Sequence, residues 1–222
     1  MAADILTCQS LGKKVLLSIG GVFNATSGSD YTVSTVTKGN EFANFLWGAF
    51  GPLKSTWTGP RPFDFGGETV KFDGFDFDIE KNFSDQSGYV QVINRLRDLF
   101  ALETTGKYLI TGAPQCPQND PYFDMKTMIN QAVFDFLFIQ FYNNPDCQAS
   151  NAAGFNYNAW ESYIKNTASK NAKLFIGLPG SPDSGNGYLE PAAAAALLNS
   201  YKTKASFGGL MLWDVDTASN KT

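Results

Sequence analysis

Three acidic residues alternate along one short segment of the sequence, at Asp76, Asp78 and Glu80. In a β-strand, alternate side chains share one face, and neighbours on that face lie about 6.6 Å apart at a rise of ~3.3 Å per residue. Carboxylates this close cannot all ionise without cost, so their proximity raises at least one pKa and couples their titrations. A carboxyl group that keeps its proton in this way can act as a general acid.

Two other interpretations of this acidic row stay open on residue types alone. The row could be the solvated face of an amphipathic strand, although Asp is a poor strand former. The Asp-x-Asp-x-Glu spacing also offers hard oxygen ligands of the kind that divalent cations prefer.

The composition narrows the chemistry further. The 222 residues include no His, which excludes His-based catalytic triads, His-ligated zinc and His-ligated haem. The formal net charge is -4, and no basic cluster is larger than the Lys13–Lys14 pair, so we expect no nucleic-acid partner. No apolar run approaches the ~20 residues of a membrane helix, so we expect no membrane association.

The elements that must position the acidic row follow from the apolar pattern. Short apolar runs alternate with helical patterns, which predicts parallel βα units with helices covering a sheet. The near-continuous apolar strands indicate burial on both faces. The predicted strands are 14–20, 74–80, 108–114, 136–142, 173–179 and 208–214, and the predicted helices are 89–99, 125–134, 157–169 and 191–202. Long loops are predicted at 21–39, 51–67 and 180–187, where a parallel barrel binds its ligands.

The segment 73–80, which reads Asp-Gly-Phe-Asp-Phe-Asp-Ile-Glu, resembles the signature of family 18 glycoside hydrolases, the chitinases. The segment 14–21 is similar to the Ser-x-Gly-Gly strand of that family. Segments 113–117, 140–144 and 211–214 resemble the fifth, sixth and eighth strands of its class III members, the plant and fungal type. The resemblance runs from about residue 4 to residue 216.

The resemblance implies an α/β fold, the (β/α)8 TIM barrel of family 18, with residues 1–222 as a single catalytic domain. By its numbering the strand at 14–20 is the third and the strand at 208–213 the eighth, so strands 3 to 8 are present and the first two are missing. We therefore expect an N-terminally truncated barrel: an open six-stranded sheet with unpaired edges, which favour aggregation and poor solubility. We expect the complete protein to be a monomer.

The resemblance also implies a retaining, substrate-assisted mechanism without a protein nucleophile or a cofactor. Glu80 would protonate the glycosidic oxygen and later activate water. Asp78 would orient the 2-acetamido group of the substrate, and Asp76 would hold and tune Asp78. Asp73 lies outside the acidic row, so we expect a structural role for it.

The same resemblance assigns residues to the sugar pocket. Tyr142 would donate its hydroxyl to the acetamido oxygen, and Gln140 would line the pocket on the same face. Trp213 would form the apolar floor under the sugar. Ala113 and Met211, in the segments that resemble strands five and eight, are further candidates for substrate contact.

The expected substrate is chitin or its oligosaccharides, polymers of β-1,4-linked N-acetylglucosamine. Two alternatives remain: a chitin lectin, although carbohydrate-binding relatives typically lack the acid at the Glu80 position, and an endo-β-N-acetylglucosaminidase acting on N-glycans. The segment Gln140-Phe-Tyr142-Asn-Asn144 favours chitin over N-glycans.

The chain has three Cys, which suit one disulfide and one leftover thiol. By the strand assignment above, Cys116 follows the fifth strand and Cys147 the sixth, at the same end of adjacent strands, so we expect them to form a disulfide. Cys8 would then lack a partner. A disulfide implies an oxidising compartment, and with the resemblance it predicts secretion, although no signal peptide is visible in the chain.

Overall fold

A computed structural model of the chain describes residues 2–24, 26, 30–104 and 106–219. Strands and helices alternate along it as the apolar pattern predicts. The strands are β1 Leu16–Gly21, β2 Gly74–Ile79, β3 Leu109–Gly112, β4 Phe136–Gln140, β5 Lys173–Pro179 and β6 Phe207–Trp213. The helices are α1 Ala2–Ser10, α2 Val36–Phe50, α3 Ser87–Ala101, α4 Lys126–Gln131, α5 Tyr157–Ile164, α6 Pro191–Tyr201 and α7 Val215–Ser219, with a 3₁₀ turn at Pro182–Ser184.

The six strands form one parallel sheet in the order β1-β2-β3-β4-β5-β6. Within the described residues β6 does not pair with β1, so the sheet is open and each outer strand has a free edge. The predicted fold class, an incomplete (β/α)8 barrel, is confirmed. None of the described helices is long and apolar enough to cross a membrane.

The core explains why β2 forms an interior strand of this sheet. Phe75, Phe77 and Ile79 alternate with the acidic residues and are almost completely buried. Phe77 packs edge-on against Tyr89 of α3 at 6.4 Å between ring centroids, and Phe75 stacks on Phe100 at 6.3 Å. Burying an aromatic or branched apolar side chain stabilises the fold by ~1.5–3 kcal/mol. This apolar face therefore fixes the acidic row on the opposite face of the strand.

The predicted loop 21–39 is shorter than expected, because its last four residues belong to helix α2. The helix begins at Val36, because the Thr35 side chain accepts a hydrogen bond from the Lys38 N–H and caps the first turn. Gly39, expected at the end of the loop, lies inside the helix. A Cβ at this position would be 2.4 Å from the Gly88 carbonyl oxygen, so the glycine allows α2 to pack closely against α3.

Candidate active site

Asp76 is held between the two strands that flank β2. The register aligns it with Ser18 of β1 and Thr111 of β3. The Ser18 hydroxyl donates to Asp76 Oδ2 at 2.7 Å, and the Thr111 hydroxyl donates to Oδ1 at 2.6 Å. Burial raises the pKa of Asp76, and these two hydrogen bonds oppose the rise without cancelling it. The carboxyl is thus fixed in orientation, and burial makes its ionisation less favourable.

Asp78 lies one step further along the same face, nearer the mouth of the site. Burial raises its pKa to about 7, and the negative charges of Glu80 and Asp76 add to this effect. Asp78 can therefore hold a proton near neutral pH, and the contribution of the two neighbouring acids agrees with the coupling expected from the sequence.

Gln140 at the end of β4 joins the acids into one network. Its Nε2 lies 2.9 Å from Asp78 Oδ1, 3.1 Å from Glu80 Oε1 and 2.9 Å from the Ala113 carbonyl oxygen. The side chain is 5% exposed, so these contacts replace its hydration. The sequence predicts only a lining position for Gln140, whereas the structure places it against both carboxylates.

Tyr142 follows β4 and is 4% exposed. Burial raises the pKa of its hydroxyl well above the ordinary value, and the charges of Asp78 and Glu80 raise it further. Within the described residues we find no hydrogen-bond partner for this hydroxyl, which keeps its proton and remains available to a ligand.

A cavity of about 170 Å³ brings most of the predicted residues together. Its lining includes Asp76, Asp78, Ala113, Gln140, Tyr142, Met211 and Trp213 from the sequence predictions, with Ser18, Phe138 and Leu212 in addition. Glu80 is not part of this lining and joins the cluster through Gln140. A larger cavity of about 650 Å³ lies beside Tyr31 and α2, and none of the three acidic residues lines it.

The far wall of the cavity comes from β6. Met211 pairs with Gly177 of β5, and a Cβ at Gly177 would be 2.6 Å from the Met211 methyl group. The glycine therefore leaves room for this side chain. Trp213, paired with Pro179, is 50% exposed. The predicted floor residue thus stands at the free edge of the sheet.

Besides Ser18, Phe138 and Leu212 of the cavity lining, three further residues near the acids were not predicted. Thr111 contacts Asp76, and Tyr31 contacts the Glu80 backbone. The third residue, Asp124, interacts electrostatically with Glu80. Burial raises the pKa of Asp124 to about 6, and the Glu80 carboxylate contributes to that rise. The alternation in 108–114 could have flagged Thr111, but the sequence offers no signal for the other two, because their loops approach β2 only in the folded chain.

Asp73 makes its hydrogen bonds to residues outside the acidic row. It accepts hydrogen bonds from the Lys14 ammonium at 2.8 Å, the Val15 N–H at 3.0 Å and the Gln9 amide at 2.9 Å. These contacts fasten the start of β2 to α1 and β1, in agreement with a structural role. Within the described part of the chain, no three acidic or Cys side chains are grouped as metal ligands.

The predicted disulfide between Cys116 and Cys147 is present, with 5.9 Å between the Cα atoms. It joins the loops that follow β3 and β4. The Cys116 carbonyl also accepts hydrogen bonds from the Trp160 indole at 3.0 Å and the Asn156 amide at 2.9 Å. The loop beside Gln140 and Tyr142 is thereby tied to α5. Cys8 is an exposed free thiol.

Residues 2–188 match the model of Glycosyl hydrolases family 18. The chain therefore belongs to this family, which confirms the resemblance found in the sequence. It is 42% identical over 227 residues to Endochitinase 2 of Coccidioides posadasii, an alignment that covers 98% of this chain and 25% of that protein. The chain spans about a quarter of the length of this curated relative.

Solved structures with the same fold include an inhibitor and an enzyme. The xylanase and alpha-amylase inhibitor protein from Scadoxus multiflorus is 33% identical, with a TM-score of 0.77 over 96% of this chain and 73% of that one. A chitinase from Ipomoea carnea is 28% identical, with a TM-score of 0.75 over 98% of this chain and 76% of that one.

Proposed function

We propose that residues 1–222 form a single catalytic domain of a chitinase that hydrolyses β-1,4-linked N-acetylglucosamine polymers with retention of configuration. The observation that carries this proposal is the network in which Gln140 contacts both Asp78 and Glu80 while Asp76 is held beneath them. The endochitinase relative supports the choice of substrate.

In the first step, Glu80 transfers its proton to the glycosidic oxygen as the bond from that oxygen to the anomeric carbon breaks. The acetamido carbonyl oxygen of the same sugar attacks the anomeric carbon and forms a cyclic oxazolinium ion. The leaving saccharide departs as a neutral alcohol. In the second step, Glu80 removes a proton from water, which attacks the anomeric carbon and reopens the ring with overall retention.

Asp78 and Tyr142 bind opposite ends of the acetamido group in this mechanism. The Asp78 carboxylate accepts a hydrogen bond from the acetamido N–H, whose positive charge grows as the ring closes. The Tyr142 hydroxyl donates to the acetamido oxygen and aims it at the anomeric carbon. Asp76, fixed by Ser18 and Thr111, shares a proton with Asp78 and so adjusts its charge as the reaction proceeds.

Sugar contacts come from the remaining cavity residues. Trp213 provides an apolar face of the kind that stacks against a pyranose ring, and Met211 and Ala113 complete the walls. No cofactor takes part in the proposed reaction. The disulfide suits an oxidising environment, and we infer that the protein acts outside the cell.

Binding without hydrolysis is a second candidate function. The 33% identical relative from Scadoxus multiflorus is an inhibitor protein, so this fold also serves non-catalytic roles. A lectin or an inhibitor needs no proton donor at position 80, and the Glu80 carboxyl in contact with Gln140 therefore favours the enzyme.

Glu80→Gln, assayed in the full-length natural protein, tests the proposal. The change keeps size and hydrogen bonding but removes the transferable proton, so chitotetraose hydrolysis should fall ~10²–10⁴-fold. Affinity for the oligosaccharide should stay within about threefold, since binding contacts remain. The control is Glu41→Gln on the exposed surface of α2, which should retain full activity.

The assay separates the candidates by outcome. A wild-type protein that binds chitotetraose but never cleaves it is a lectin, and release of a high-mannose N-glycan in preference to chitotetraose cleavage identifies an endo-β-N-acetylglucosaminidase. Glu80→Gln activity within about threefold of wild type would rule out Glu80 as the acid, because general acid catalysis is worth far more.

A further inference from the structure

The backbone N–H of Glu80 does not bond directly to the neighbouring strand. The Phe77 carbonyl of β2 accepts a hydrogen bond from the N–H of Ala113, the residue after β3, at 2.9 Å. In a parallel sheet the backbone groups of alternate residues point to opposite sides, so the backbone N–H and C=O groups of the acidic residues point toward β1. The register pairs Gly21 with Ile79. The next bond in this parallel ladder would therefore join the Glu80 N–H to the Gly21 carbonyl.

A tyrosine hydroxyl occupies the place of that ladder bond. The Tyr31 hydroxyl accepts from the Glu80 N–H at 3.2 Å and donates to the Gly21 carbonyl at 2.7 Å. One hydroxyl thus satisfies both backbone groups and keeps Glu80 further from β1 than a direct bond would allow. At Glu80, the proposed proton donor, the backbones of β2 and β1 are therefore separated by one inserted hydroxyl group.

Tyr31 is itself held rigidly. Its ring packs edge-on against Phe23 at 5.3 Å and against Phe83 at 6.0 Å between centroids. Its carbonyl accepts a hydrogen bond from the hydroxyl of Tyr89, a buried residue of α3. Burial raises the pKa of the Tyr31 hydroxyl to about 12, so it keeps the proton that it donates to Gly21.

We propose that Tyr31 is a positioning residue for Glu80: its hydroxyl, inserted between the Glu80 N–H and the Gly21 carbonyl, sets the backbone so that the Glu80 carboxyl reaches both Gln140 and the glycosidic oxygen. This inference rests on the proposed function, in which Glu80 is the proton donor. Without the hydroxyl, the Glu80 N–H and the Gly21 carbonyl lose their shared partner, and Glu80 is no longer held at this distance from β1. A displacement of ~1 Å in a catalytic group can cost 10²-fold in rate.

The test compares Tyr31→Phe with Tyr163→Phe in the full-length natural protein. Both variants lose one tyrosine hydroxyl, but that of Tyr163 bonds to Asn130 at 2.6 Å, far along the chain from the acids. The readout is kcat/KM on chitotetraose and on a dinitrophenyl chitobioside. The dinitrophenolate leaves without a proton, so only chitotetraose requires a well-placed Glu80 in the first step.

Tyr31→Phe should lower kcat/KM on chitotetraose by ~10- to 100-fold and change it by less than about threefold on the dinitrophenyl substrate. Tyr163→Phe should leave both values unchanged. An equal loss on both substrates would mean that Tyr31 supports the pocket in general, and no loss on either would remove its role. Both results overturn the proposal.

Hydrogen exchange gives a second readout that does not depend on activity. The Glu80 amide should exchange at least ~10-fold faster in Tyr31→Phe, because it loses its acceptor, and at the wild-type rate in Tyr163→Phe. Unchanged protection at Glu80 would overturn the positioning role even in an active enzyme. A wild-type protein that fails to cleave chitotetraose refutes the proposed function instead, and the exchange result still decides whether Tyr31 holds the Glu80 backbone.

Discussion

The candidate site residues on interior strands are fixed by hydrogen bonds, whereas those on the outer strand β6 are more exposed to solvent. On β2 and β4, Asp76, Asp78 and Gln140 each have hydrogen-bond partners on neighbouring elements. On the outer strand β6, no residue is fully buried, and Trp213 is 50% exposed. The acidic residues of β2 and Gln140 are therefore held on interior strands, whereas Met211 and Trp213, two of the residues expected to contact the sugar, lie on an outer strand.

Under the proposed function, this contrast separates catalysis from binding within one site. Interior side chains lie between two neighbouring strands, as Asp76 lies between Ser18 and Thr111, so we expect their geometry to depend little on what covers the β6 edge. Edge side chains have a neighbour on one side only, and their orientation depends on whatever covers that edge. Changes in the interior should thus reduce turnover or stability strongly, and changes at the edge should act weakly or on affinity.

The largest expected effect is on turnover, from Asp78→Ala. Loss of the carboxylate that orients and stabilises the acetamido group should reduce kcat on chitotetraose ~10²–10³-fold. The matched control is Asp98→Ala on the exposed face of α3, which should retain wild-type turnover. Steady-state kinetics on both variants makes the comparison, and a loss under about tenfold for Asp78→Ala would contradict an interior site built around this residue.

The next effect is a pH-dependent change in stability from Asp78→Asn. The folded pKa of Asp78 is raised to about 7 from an ordinary value of 3.8, so the fold prefers the protonated carboxyl. Its contribution to the unfolding free energy is complete below the unfolded pKa and is lost as pH rises through the folded pKa. Asn carries no such penalty, so the variant should gain up to ~4 kcal/mol over wild type at pH 8 and nothing at pH 3.

Denaturant unfolding of both proteins at the two pH values measures this difference. Asp98→Asn serves as the control, and its stability relative to wild type should not vary with pH in the same way. If the gap between Asp78→Asn and wild type is the same at both pH values, Asp78 does not have a raised pKa in the folded protein.

A comparable change in the unfolding free energy is expected on removal of the disulfide, which joins the loops after the interior strands β3 and β4. The bridge between Cys116 and Cys147 spans 31 residues of sequence, and closing such a loop stabilises a fold by about 3–4 kcal/mol in the chain-entropy model. Cys116→Ala with Cys147→Ala should lower the unfolding free energy by that amount. Cys8→Ser, at the exposed thiol, should change the unfolding free energy by less than ~0.5 kcal/mol. Equal losses in the two variants would mean that the disulfide stabilises the fold no more than an exposed thiol does.

The smallest effect is expected at the edge, and a pair of leucines measures it directly. Leu178 of β5 and Leu212 of β6 are partners in the sheet register, but Leu178 is 2% exposed and Leu212 is 49% exposed. Leu178→Ala should cost ~2–5 kcal/mol, whereas Leu212→Ala should cost under ~1 kcal/mol. Similar costs in thermal or denaturant unfolding would show that β6 is as well covered as the interior.

The sequence predicted local features well and contacts between distant segments poorly. Alternation alone placed Asp76 and Asp78 on one face of β2, and apolar runs located all six strands to within about two residues at every end. The contacts of Gln140 with both acids and of Tyr31 with Glu80 depend on sheet register and on loop paths. These are set by the packing of the whole chain, so no local pattern encodes them.

In the proposed reaction the substrate's own acetamido group is the nucleophile, and Asp76 and Asp78 of β2 assist its attack. The most direct measurement is the rate of cleavage of chitotetraose beside that of its fully de-acetylated counterpart, with the same full-length natural protein and under the same conditions. We expect hydrolysis of chitotetraose and no detectable cleavage of the de-acetylated tetramer, which lacks the internal nucleophile. Equal rates on the two substrates would mean that a protein carboxylate or water attacks the anomeric carbon, and would rule out the substrate-assisted mechanism.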